Sequence, residues 1–250
     1  MPIGFALHDT ATMPDAARAG SLRVGGFVPF TATDYPDALA AVVFCQGCPW
    51  RCGYCHNPHL LPAHGDDERD FLRILDWLAT RRGLLDAVVF SGGEPTAQPE
   101  LADAVAAVRA LGFAIGLHTA GIYPRRLASL LGQLDWVGID IKAPAAEYAS
   151  LTGAATGGIA ALASLDLVLE SGVAHEVRTT VHPALTPDAA LEELARELAG
   201  RGIARWVLQP FRVTGCADEA LVAGAPQGAT IEPALLARLR GHVSAVEVRG

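Results

Sequence analysis

Positive charge is scarce in this sequence, and the deficit argues against one class of partner. The chain has 19 Lys and Arg residues against 27 Asp and Glu, a formal net charge of −8. Electrostatically driven nucleic-acid binding needs a basic surface, so we expect no nucleic-acid partner. No Lys/Arg block or basic amphipathic helix suggests a membrane surface either.

Long hydrophobic runs are also missing, although 51% of the residues are hydrophobic. No stretch approaches the ~18 apolar residues that a membrane-spanning helix requires. The N-terminus has no basic region followed by an apolar run, so we expect no secretory signal. We therefore predict a cytoplasmic protein with enough apolar material for one sizeable α/β core.

Cysteine is the third scarce residue, and the few cysteines present are clustered. The 250-residue chain has five; four lie between positions 45 and 55, and the fifth is Cys216. An odd, clustered set in a cytoplasmic chain favours metal or redox chemistry over a disulfide framework.

Apolar strand-like runs alternate with helical patterns along most of the chain. Strands are expected at 39–44, 86–91, 113–119, 136–142, 175–181 and 205–211, and helices near 68–82, 99–111, 124–132, 158–171, 187–201 and 232–240. This alternation implies βαβ units, and about six of them predict an α/β fold, a partial (β/α)6 TIM-like barrel of parallel strands. We predict a loose N-terminal extension over 1–21 and a single domain over 22–250, with a short strand or hairpin at 22–30.

Three of the cysteines follow the first predicted strand, where parallel α/β proteins place their sites. Cys48, Cys52 and Cys55 have the spacing C-x3-C-x2-C. A structural zinc site usually takes four protein ligands, and the only distant cysteine is Cys216. Three thiolates can instead hold three irons of a [4Fe–4S] cluster and leave the fourth iron open. We interpret Cys45 as a core thiol; the alternative for the whole group is buried cysteines without metal.

The cysteine motif, with Tyr54 just before its last member, resembles the signature of radical S-adenosylmethionine (SAM) enzymes. In that family the open iron binds the amino and carboxylate groups of SAM. An electron from the cluster then cleaves SAM to a 5′-deoxyadenosyl radical that abstracts hydrogen, while the protein supplies position and excludes water. The resemblance implies that Tyr54 lies near the adenine; the alternative is a packing aromatic.

The second predicted strand ends in SGGEP, residues 91–95. Two glycines let a backbone approach a ligand closely, and Glu94 adds a carboxylate at the strand end. Alone this is an ordinary turn, but it resembles the family's segment that meets the ammonium of the methionine group. The resemblance implies that Gly92, Gly93 and Glu94 bind SAM.

In the predicted strand 136–142, Asp140 and Lys142 share one face, opposite an apolar face. Buried charges need partners, which favours a site inside the barrel over a solvated pair. The D-x-K sequence resembles the activating enzymes of glycyl-radical proteins. This implies that both residues lie in the SAM site, with Lys142 near the SAM carboxylate.

Three polar residues of the last two strands are further candidates. Arg178 and His182 are candidates for the SAM or polypeptide-substrate site, although His182, just before Pro183, could instead cap its strand. Gln209 is the candidate inward polar group of its strand; the alternative is a surface loop residue.

The predicted strand 113–119 departs from the family at its end. It has His118 and Thr119 where the family usually has Asp and Thr, and that aspartate helps some relatives hold a monovalent cation beside SAM. The match places Thr119 in the SAM pocket. Histidine is a poor ligand for a hard cation, which argues against a cation here, and a protonated His118 could replace the charge.

Further motifs place the chain in one branch of the family. The Y-C-H-N-P ending, with His56 and Asn57 in the SAM site, resembles activating enzymes of glycyl-radical proteins. DYP at 34–36, VHP at 181–183 and VLQPF at 207–211 look most like the anaerobic ribonucleoside-triphosphate reductase activating branch. This resemblance implies a folded partner protein, from which a glycine Cα hydrogen is removed to leave a backbone radical.

A single cluster is predicted, because residues 59–85 contain no cysteine where some activases carry an insert with extra clusters. An external reductant, flavodoxin or ferredoxin, must then supply the electron, and Cys216 is interpreted as a loop thiol. The alternatives are an activase of another glycyl-radical enzyme of the pyruvate formate-lyase type, a radical SAM enzyme acting on a small molecule, and a non-enzymatic zinc or Fe–S module.

Overall fold

In the computed structural model of the protein, which describes residues 15–225 and 231–249, one sheet of sequential strands forms the framework. The strands are β1 (Val24–Thr31), β2 (Ala40–Cys45), β3 (Ala87–Gly92), β4 (Ala114–Thr119), β5 (Trp136–Asp140), β6 (Ala174–Val181), β7 (Arg205–Pro210) and β8 (Ala245–Val248). β1 pairs with β2 antiparallel, and β2 to β8 are parallel to their neighbours. The predicted α/β fold with a partial barrel of parallel strands is confirmed.

Helices follow the parallel strands. They are α1 (Ala16–Gly20), α2 (Phe71–Ala79), α3 (Leu101–Ala110), α4 (Pro124–Leu130), α5 (Tyr148–Thr152), α6 (Gly157–Ser171), α7 (Asp188–Gly200), α8 (Glu219–Ala223) and α9 (Pro233–Arg240). Each long helix buries one stripe; in α7, Leu191, Leu194 and Leu198 recur at helical spacing and are buried. No helix of the described residues is long and apolar enough to cross a bilayer.

One strand, β8, was not predicted. It is a parallel strand beyond the six expected, and its sequence AVEV is too short and too polar to give a strand pattern. The segment 22–30, expected as a short strand or a hairpin, contributes the edge strand β1. Of the predicted extension, residues 1–14 lie outside the described residues, whereas Ala19 of α1 is fully buried.

The connection between β1 and β2 lies at the N-terminal end of the barrel, since β1 runs antiparallel to β2. Its Tyr35 ring packs 5.8 Å from the ring of Trp136 at the start of β5. A Cβ atom on Gly116 of β4 would lie only 3.0 Å from the same Tyr35 ring. This connection therefore reaches across the inner face of the sheet.

Four charged residues line the inner face of β6 to β8. The buried carboxylate of Glu176 accepts two hydrogen bonds of 2.9 Å from Arg249 and lies 3.3 Å from Arg205. Glu247 pairs with Arg205 at 2.8 Å. The quartet neutralises its own charge and connects β8 to the strands beside it.

Candidate active site

The cysteine loop, residues 46–57, begins directly after β2, and its residues alternate between the surface and the interior. The exposed positions are Pro49, Arg51 and Gly53, and the positions between them, Trp50, Cys52 and Tyr54, point inward. The three cysteines of the motif are half-buried. The loop thus presents its thiols near the interior and a separate face to solvent.

Two buried glutamines fix the conformation of the loop through hydrogen bonds, and neither was predicted from the sequence. Gln46 donates from Nε2 to the carbonyl oxygens of His59 at 3.0 Å and Pro62 at 2.8 Å. Gln98 donates to the carbonyl oxygen of Gln46 at 2.9 Å. Buried amide side chains need such partners. A glutamine directly after a buried strand was the signal that could have found the first.

The loop is also attached to the end of β5. The Arg51 backbone N–H donates to the Thr152 carbonyl at 2.9 Å, and the Trp50 and Tyr148 rings pack edge-to-face at 5.7 Å. The Tyr148 hydroxyl in turn accepts a hydrogen bond of 2.8 Å from the Lys142 backbone N–H. Tyr148 therefore contacts both the D-x-K segment and the cysteine loop.

The thiols fit a multi-iron cluster. Burial raises the pKa of the Cys48 thiol to about 12 and also raises the pKa of Cys52, so these groups need a cationic ligand to ionise. Within 15–225 and 231–249, no three His, Cys, Asp or Glu side chains converge as ligands of one ion. Three thiols in one half-buried loop beside Lys142 are a soft donor set of the kind that iron–sulfur clusters take.

Tyr54 and Lys142 meet beside the thiols. The Lys142 Nζ lies 5.4 Å from the centroid of the Tyr54 ring, a cation–π distance. The buried Tyr54 hydroxyl has no hydrogen-bond partner among the described residues. Because buried polar atoms are normally paired, this oxygen indicates that a further group completes the site.

Asp140 lies between two cations. Its carboxylate is 3.7 Å from Lys142 Nζ and 3.0 Å from Arg178 Nε, because the register of β5 and β6 sets Asp140 beside Arg178. Burial alone would raise the pKa of Asp140, but the two cations hold it below its usual value. A Cβ on Gly138 would lie 2.8 Å from Arg178 Cζ, so glycine makes the room. The set carries one excess positive charge, which suits a carboxylate ligand.

The amino-acid composition also points to this site, independently of the sequence motifs. Lys142 is the only lysine in the sequence, and Asn57, in the cysteine loop, is the only asparagine. Arginine replaces lysine readily at a surface but not where a compact ammonium must fit. The single lysine of an arginine-rich chain was therefore an indicator of a specific site.

Gly92, the last residue of β3, and Gly93 after it lie close to the chain itself, whereas the sequence led us to expect a close approach to a ligand. Gly92 has φ +117°, and a Cβ there would clash with the backbone of Cys45. A Cβ on Gly93 would lie 2.5 Å from the Gly47 carbonyl oxygen. These glycines let the end of β3 lie directly under the cysteine loop.

Glu94 and Thr119 form an internal hydrogen-bond network. The buried Glu94 carboxylate accepts from Thr119 Oγ1 at 2.7 Å, from the Ala120 N–H at 2.9 Å and from the Thr96 N–H at 3.1 Å. Burial raises the pKa of Glu94, and these donors oppose that rise. The carboxylate thus ties the end of β3 to the end of β4, a role that the sequence analysis did not assign.

His118 is a neutral interior residue. Its Nε2 donates to the Asp34 carbonyl at 2.9 Å, and its ring packs 5.4 Å from Trp136. Burial, followed by the charge of Arg178, lowers the pKa of His118 to about 3. A pKa this low argues against a protonated His118 in place of a cation, and the half-buried imidazole instead holds the β1–β2 connection.

His182 has the contacts of the capping alternative. Its Nδ1 accepts from the Ala184 N–H at 3.1 Å, and its Nε2 donates to the Leu221 carbonyl at 3.1 Å. The residue is buried with both nitrogens occupied, and it does not line the cavity described below. It connects the end of β6 to α8.

A cavity of about 720 Å³ joins several of the other candidates. His56, Arg178 and Gln209 line it, as does His118. The remaining walls come from the β1–β2 connection, from β5 to β7 and from the residues that follow β7 and β8, namely Ala32, Thr33, Asp34, Tyr35, Pro36, Asp37, Trp136, Glu176, Thr180, Arg205, Pro210, Arg212 and Arg249. Asn57 is half-buried, precedes a short turn at Pro58–Leu60 and does not line the cavity. Of the cysteine loop only His56 reaches this cavity; the three thiols, Tyr54, Asp140 and Lys142 lie outside its lining.

Residues 42–198, more than half of the chain, match the sequence profile of the radical SAM superfamily. The chain belongs to the radical SAM superfamily. Members use a [4Fe–4S] cluster and SAM, and these are the cofactors of this radical SAM protein.

Relatives include activating enzymes. The chain is 31% identical over 188 residues to the pyruvate formate-lyase-activating enzyme of Clostridium pasteurianum, covering 71% of this chain and 77% of that protein. It is 29% identical over 205 residues to a Methanocaldococcus jannaschii protein named as a glycyl-radical enzyme activating enzyme, covering 78% and 82%. This radical SAM protein is thus homologous to glycyl-radical enzyme activating enzymes.

Solved structures agree on the fold. The crystal structure of Streptococcus suis SuiB bound to its precursor peptide SuiA matches with a TM-score of 0.62 at 15% identity, covering 84% of this chain and 48% of that one. The chain therefore spans about half the length of that solved protein. At this identity the likeness shows the partial barrel alone.

Proposed function

We propose that this protein installs a glycyl radical on a partner protein and that the partner is an anaerobic ribonucleoside-triphosphate reductase. The observation that carries the proposal is the position of the cysteine loop. It lies beside the Asp140, Lys142 and Arg178 set, and its residue His56 lines the cavity inside the barrel together with Arg178. The homology to activating enzymes favours a protein substrate.

In this proposal Cys48, Cys52 and Cys55 each bind one iron, which leaves one iron for SAM. When bound, the cluster and SAM supply a carbon radical that removes a hydrogen atom from the substrate. Lys142 and Arg178 bind the SAM carboxylate, and Asp140 fixes both cations and limits their combined charge. Charged hydrogen bonds of this kind are strong in a buried site.

Tyr54 and the backbone around Gly93 complete the SAM pocket. The Tyr54 ring would pack on the bound cofactor, and its hydroxyl, which has no hydrogen-bond partner among the described residues, would meet a polar atom of it. Glu94 and Thr119 hydrogen-bond to each other, so in this proposal they support the wall of the pocket. His56 and Gln209 line the cavity, where a glycine-containing segment would enter and displace water, and Asn57 follows His56 in the same loop.

The choice of partner rests on three short segments. DYP at 34–36, VHP at 181–183 and VLQPF at 207–211 resemble the activating proteins of anaerobic ribonucleotide reductases. The similarity to a pyruvate formate-lyase-activating enzyme supports a second candidate, an activase of that type of glycyl-radical enzyme.

The test uses the anaerobically reconstituted protein. With dithionite and SAM we expect 5′-deoxyadenosine, and on addition of the reductase we expect a glycyl-radical signal by electron paramagnetic resonance. A signal with a pyruvate formate-lyase and none with the reductase would select the second candidate. 5′-Deoxyadenosine without a signal from either partner would contradict the activase function and favour a small-molecule substrate.

A further inference from the structure

Tyr148, in the short helix α5, lies between the cysteine loop and the segment that carries Lys142, and its side chain is fully buried. Its ring packs edge-to-face on Trp50 at 5.7 Å, and a Cβ on Gly157 would lie 3.2 Å from its Cδ1 atom. The Tyr148 carbonyl oxygen also accepts a hydrogen bond of 2.6 Å from Thr152 Oγ1. The position of the phenol ring is thus fixed by the loop on one side and by the start of α6 on the other.

Lys142 lies just beyond the end of β5, where the strand ladder no longer holds its backbone. β5 ends at Asp140, and Ile141 still donates to the Arg178 carbonyl oxygen of β6 at 2.9 Å. The N–H of Lys142 donates instead to the Tyr148 hydroxyl at 2.8 Å. A partly buried N–H needs such a partner, because leaving it unpaired costs free energy. The phenol therefore replaces a strand partner at this residue.

The ammonium group of Lys142 is held loosely by its neighbours. Its Nζ is 3.7 Å from the Asp140 carboxylate, beyond hydrogen-bond distance, and 5.4 Å from the centroid of the Tyr54 ring. A lysine side chain is a flexible four-carbon stem, so the region that its ammonium can reach depends on where its backbone is fixed. The hydrogen bond to Tyr148 fixes that backbone.

The same helix also sets the distance between Lys142 and the cysteine loop. Besides the contact of the Trp50 and Tyr148 rings, the Thr152 carbonyl oxygen of α5 accepts a hydrogen bond of 2.9 Å from the Arg51 N–H. A SAM molecule would have to meet an iron held by this loop and the Lys142 ammonium at the same time. A residue that holds both ends of this span suits the placement of a cofactor.

We propose that Tyr148 is a positioning residue for SAM: its hydroxyl holds the backbone of Lys142 so that the ammonium meets the SAM carboxylate. The inference rests on the proposed function, which assigns that carboxylate to Lys142. Tyr148 acts through Lys142 in this role and needs no contact of its own with the cofactor.

The experiment compares Tyr148→Phe with Tyr123→Phe in the anaerobically reconstituted protein. Tyr123→Phe makes the same change at a half-buried ring that precedes α4 and packs on Arg126. Because the Lys142 N–H loses its partner, we expect Tyr148→Phe to raise the dissociation constant of SAM about fivefold or more, measured by equilibrium dialysis. Iron and sulfide per chain should match the wild type. With dithionite, KM for SAM should rise while kcat is retained, and Tyr123→Phe should match the wild type throughout.

A double-mutant cycle separates positioning from a general loss of stability. Lys142→Gln removes the ammonium and should weaken SAM binding by itself. If Tyr148 acts through that ammonium, adding Tyr148→Phe to Lys142→Gln should change the dissociation constant about twofold or less. Fully additive effects would show that the hydroxyl influences SAM by a route other than Lys142, and they would overturn the positioning role.

Two further results would overturn it: an unchanged dissociation constant in Tyr148→Phe, or a loss of iron in that variant, which would make Tyr148 a support of the cysteine loop instead. Wild-type SAM binding in Lys142→Gln would contradict the assignment of Lys142 within the proposed function. Cleavage of SAM by the wild type without a glycyl-radical signal would contradict the activase function and leave the Tyr148 result standing.

Discussion

At the scale of single residues, the cysteines differ in what surrounds them. Cys48, Cys52 and Cys55 are half-buried in a loop beside Lys142. Cys45 is fully buried at the end of β2, and burial together with the charge of Glu94 raises the pKa of its thiol. Full burial in the core therefore separates Cys45 from the three half-buried thiols of the loop.

Alanine variants test this difference. We expect Cys48→Ala, Cys52→Ala and Cys55→Ala each to lose the cluster, measured as iron and sulfide per chain after anaerobic reconstitution. Cys45→Ala should retain the cluster because its thiol lies in the core. Cys216→Ala should retain it too, since its Sγ contacts the Gly53 carbonyl oxygen. If Cys216→Ala lost the iron and Cys55→Ala kept it, the third ligand would be Cys216 and not Cys55.

His118 makes stability depend on pH. Its folded-state pKa of about 3 lies below the unfolded value of ~6.5, so the unfolded state binds the proton first as pH falls. The stability that neutral His118 contributes is complete above ~6.5 and is lost as pH falls toward 3. Relative to His118→Gln, the wild type should therefore lose about 2 kcal/mol of unfolding free energy between pH 7 and pH 5.

Urea unfolding followed by tryptophan fluorescence at the two pH values measures this difference. His64→Gln, at an exposed histidine, is the control and should show the wild-type dependence. Identical dependence in His118→Gln would mean that His118 has the same pKa in the folded and unfolded states.

The sequence predicted these residues to different extents for a physical reason. Spacing within one loop identifies Cys48, Cys52 and Cys55, because the ligands are local. The partners of Glu94 and of Gln46 come from distant segments, and no local pattern encodes them. The state of His118 likewise depends on burial under the β1–β2 connection.

At the scale of elements, Gly92 at the end of β3 and Gly93 directly after it set the distance between that strand and the cysteine loop. We expect Gly93→Ala to displace the loop, because its Cβ would lie 2.5 Å from the Gly47 carbonyl oxygen. Overpacking of this kind costs about 1–3 kcal/mol. Cluster content and urea unfolding should both fall in this variant.

Gly132→Ala is the matched control, because a Cβ there has no atom within 4 Å. It should retain wild-type cluster content and stability. Full cluster content in Gly93→Ala would show that the loop can move aside, so that the close approach is not required.

The buried strands and the long helices between them could be predicted, because apolar strand-like runs alternate with helical patterns along the sequence. The long helices α6 and α7 lie within a few residues of the predicted 158–171 and 187–201. β8 and the short helices α5 and α8 were missed, since four or five residues do not establish a period. Their stability comes from tertiary contacts, such as the Tyr148 ring against Trp50.

At the scale of the whole molecule, the barrel ends in β8, which lies at the edge of the sheet with β7 as its partner. Arg249, the residue after β8, reaches back to Glu176 on β6 with two hydrogen bonds of 2.9 Å. This pair spans β7 and holds the last strand against the cavity. The edge of the barrel is thus fastened by side chains as well as by the strand ladder.

Glu176→Gln tests the contribution of that connection. The carboxylate is buried, whereas its two arginines are each nearly half exposed, so we expect a loss of about 1–3 kcal/mol, below the cost of breaking a fully buried pair. Glu192→Gln removes a carboxylate that pairs with Arg238 on the exposed surface of α7 and α9, and it should change stability far less. Urea unfolding measures both, and hydrogen exchange should show faster exchange confined to β7 and β8 in Glu176→Gln. Equal effects of the two variants, or exchange unchanged in β8, would mean that the strand ladder alone holds the barrel edge.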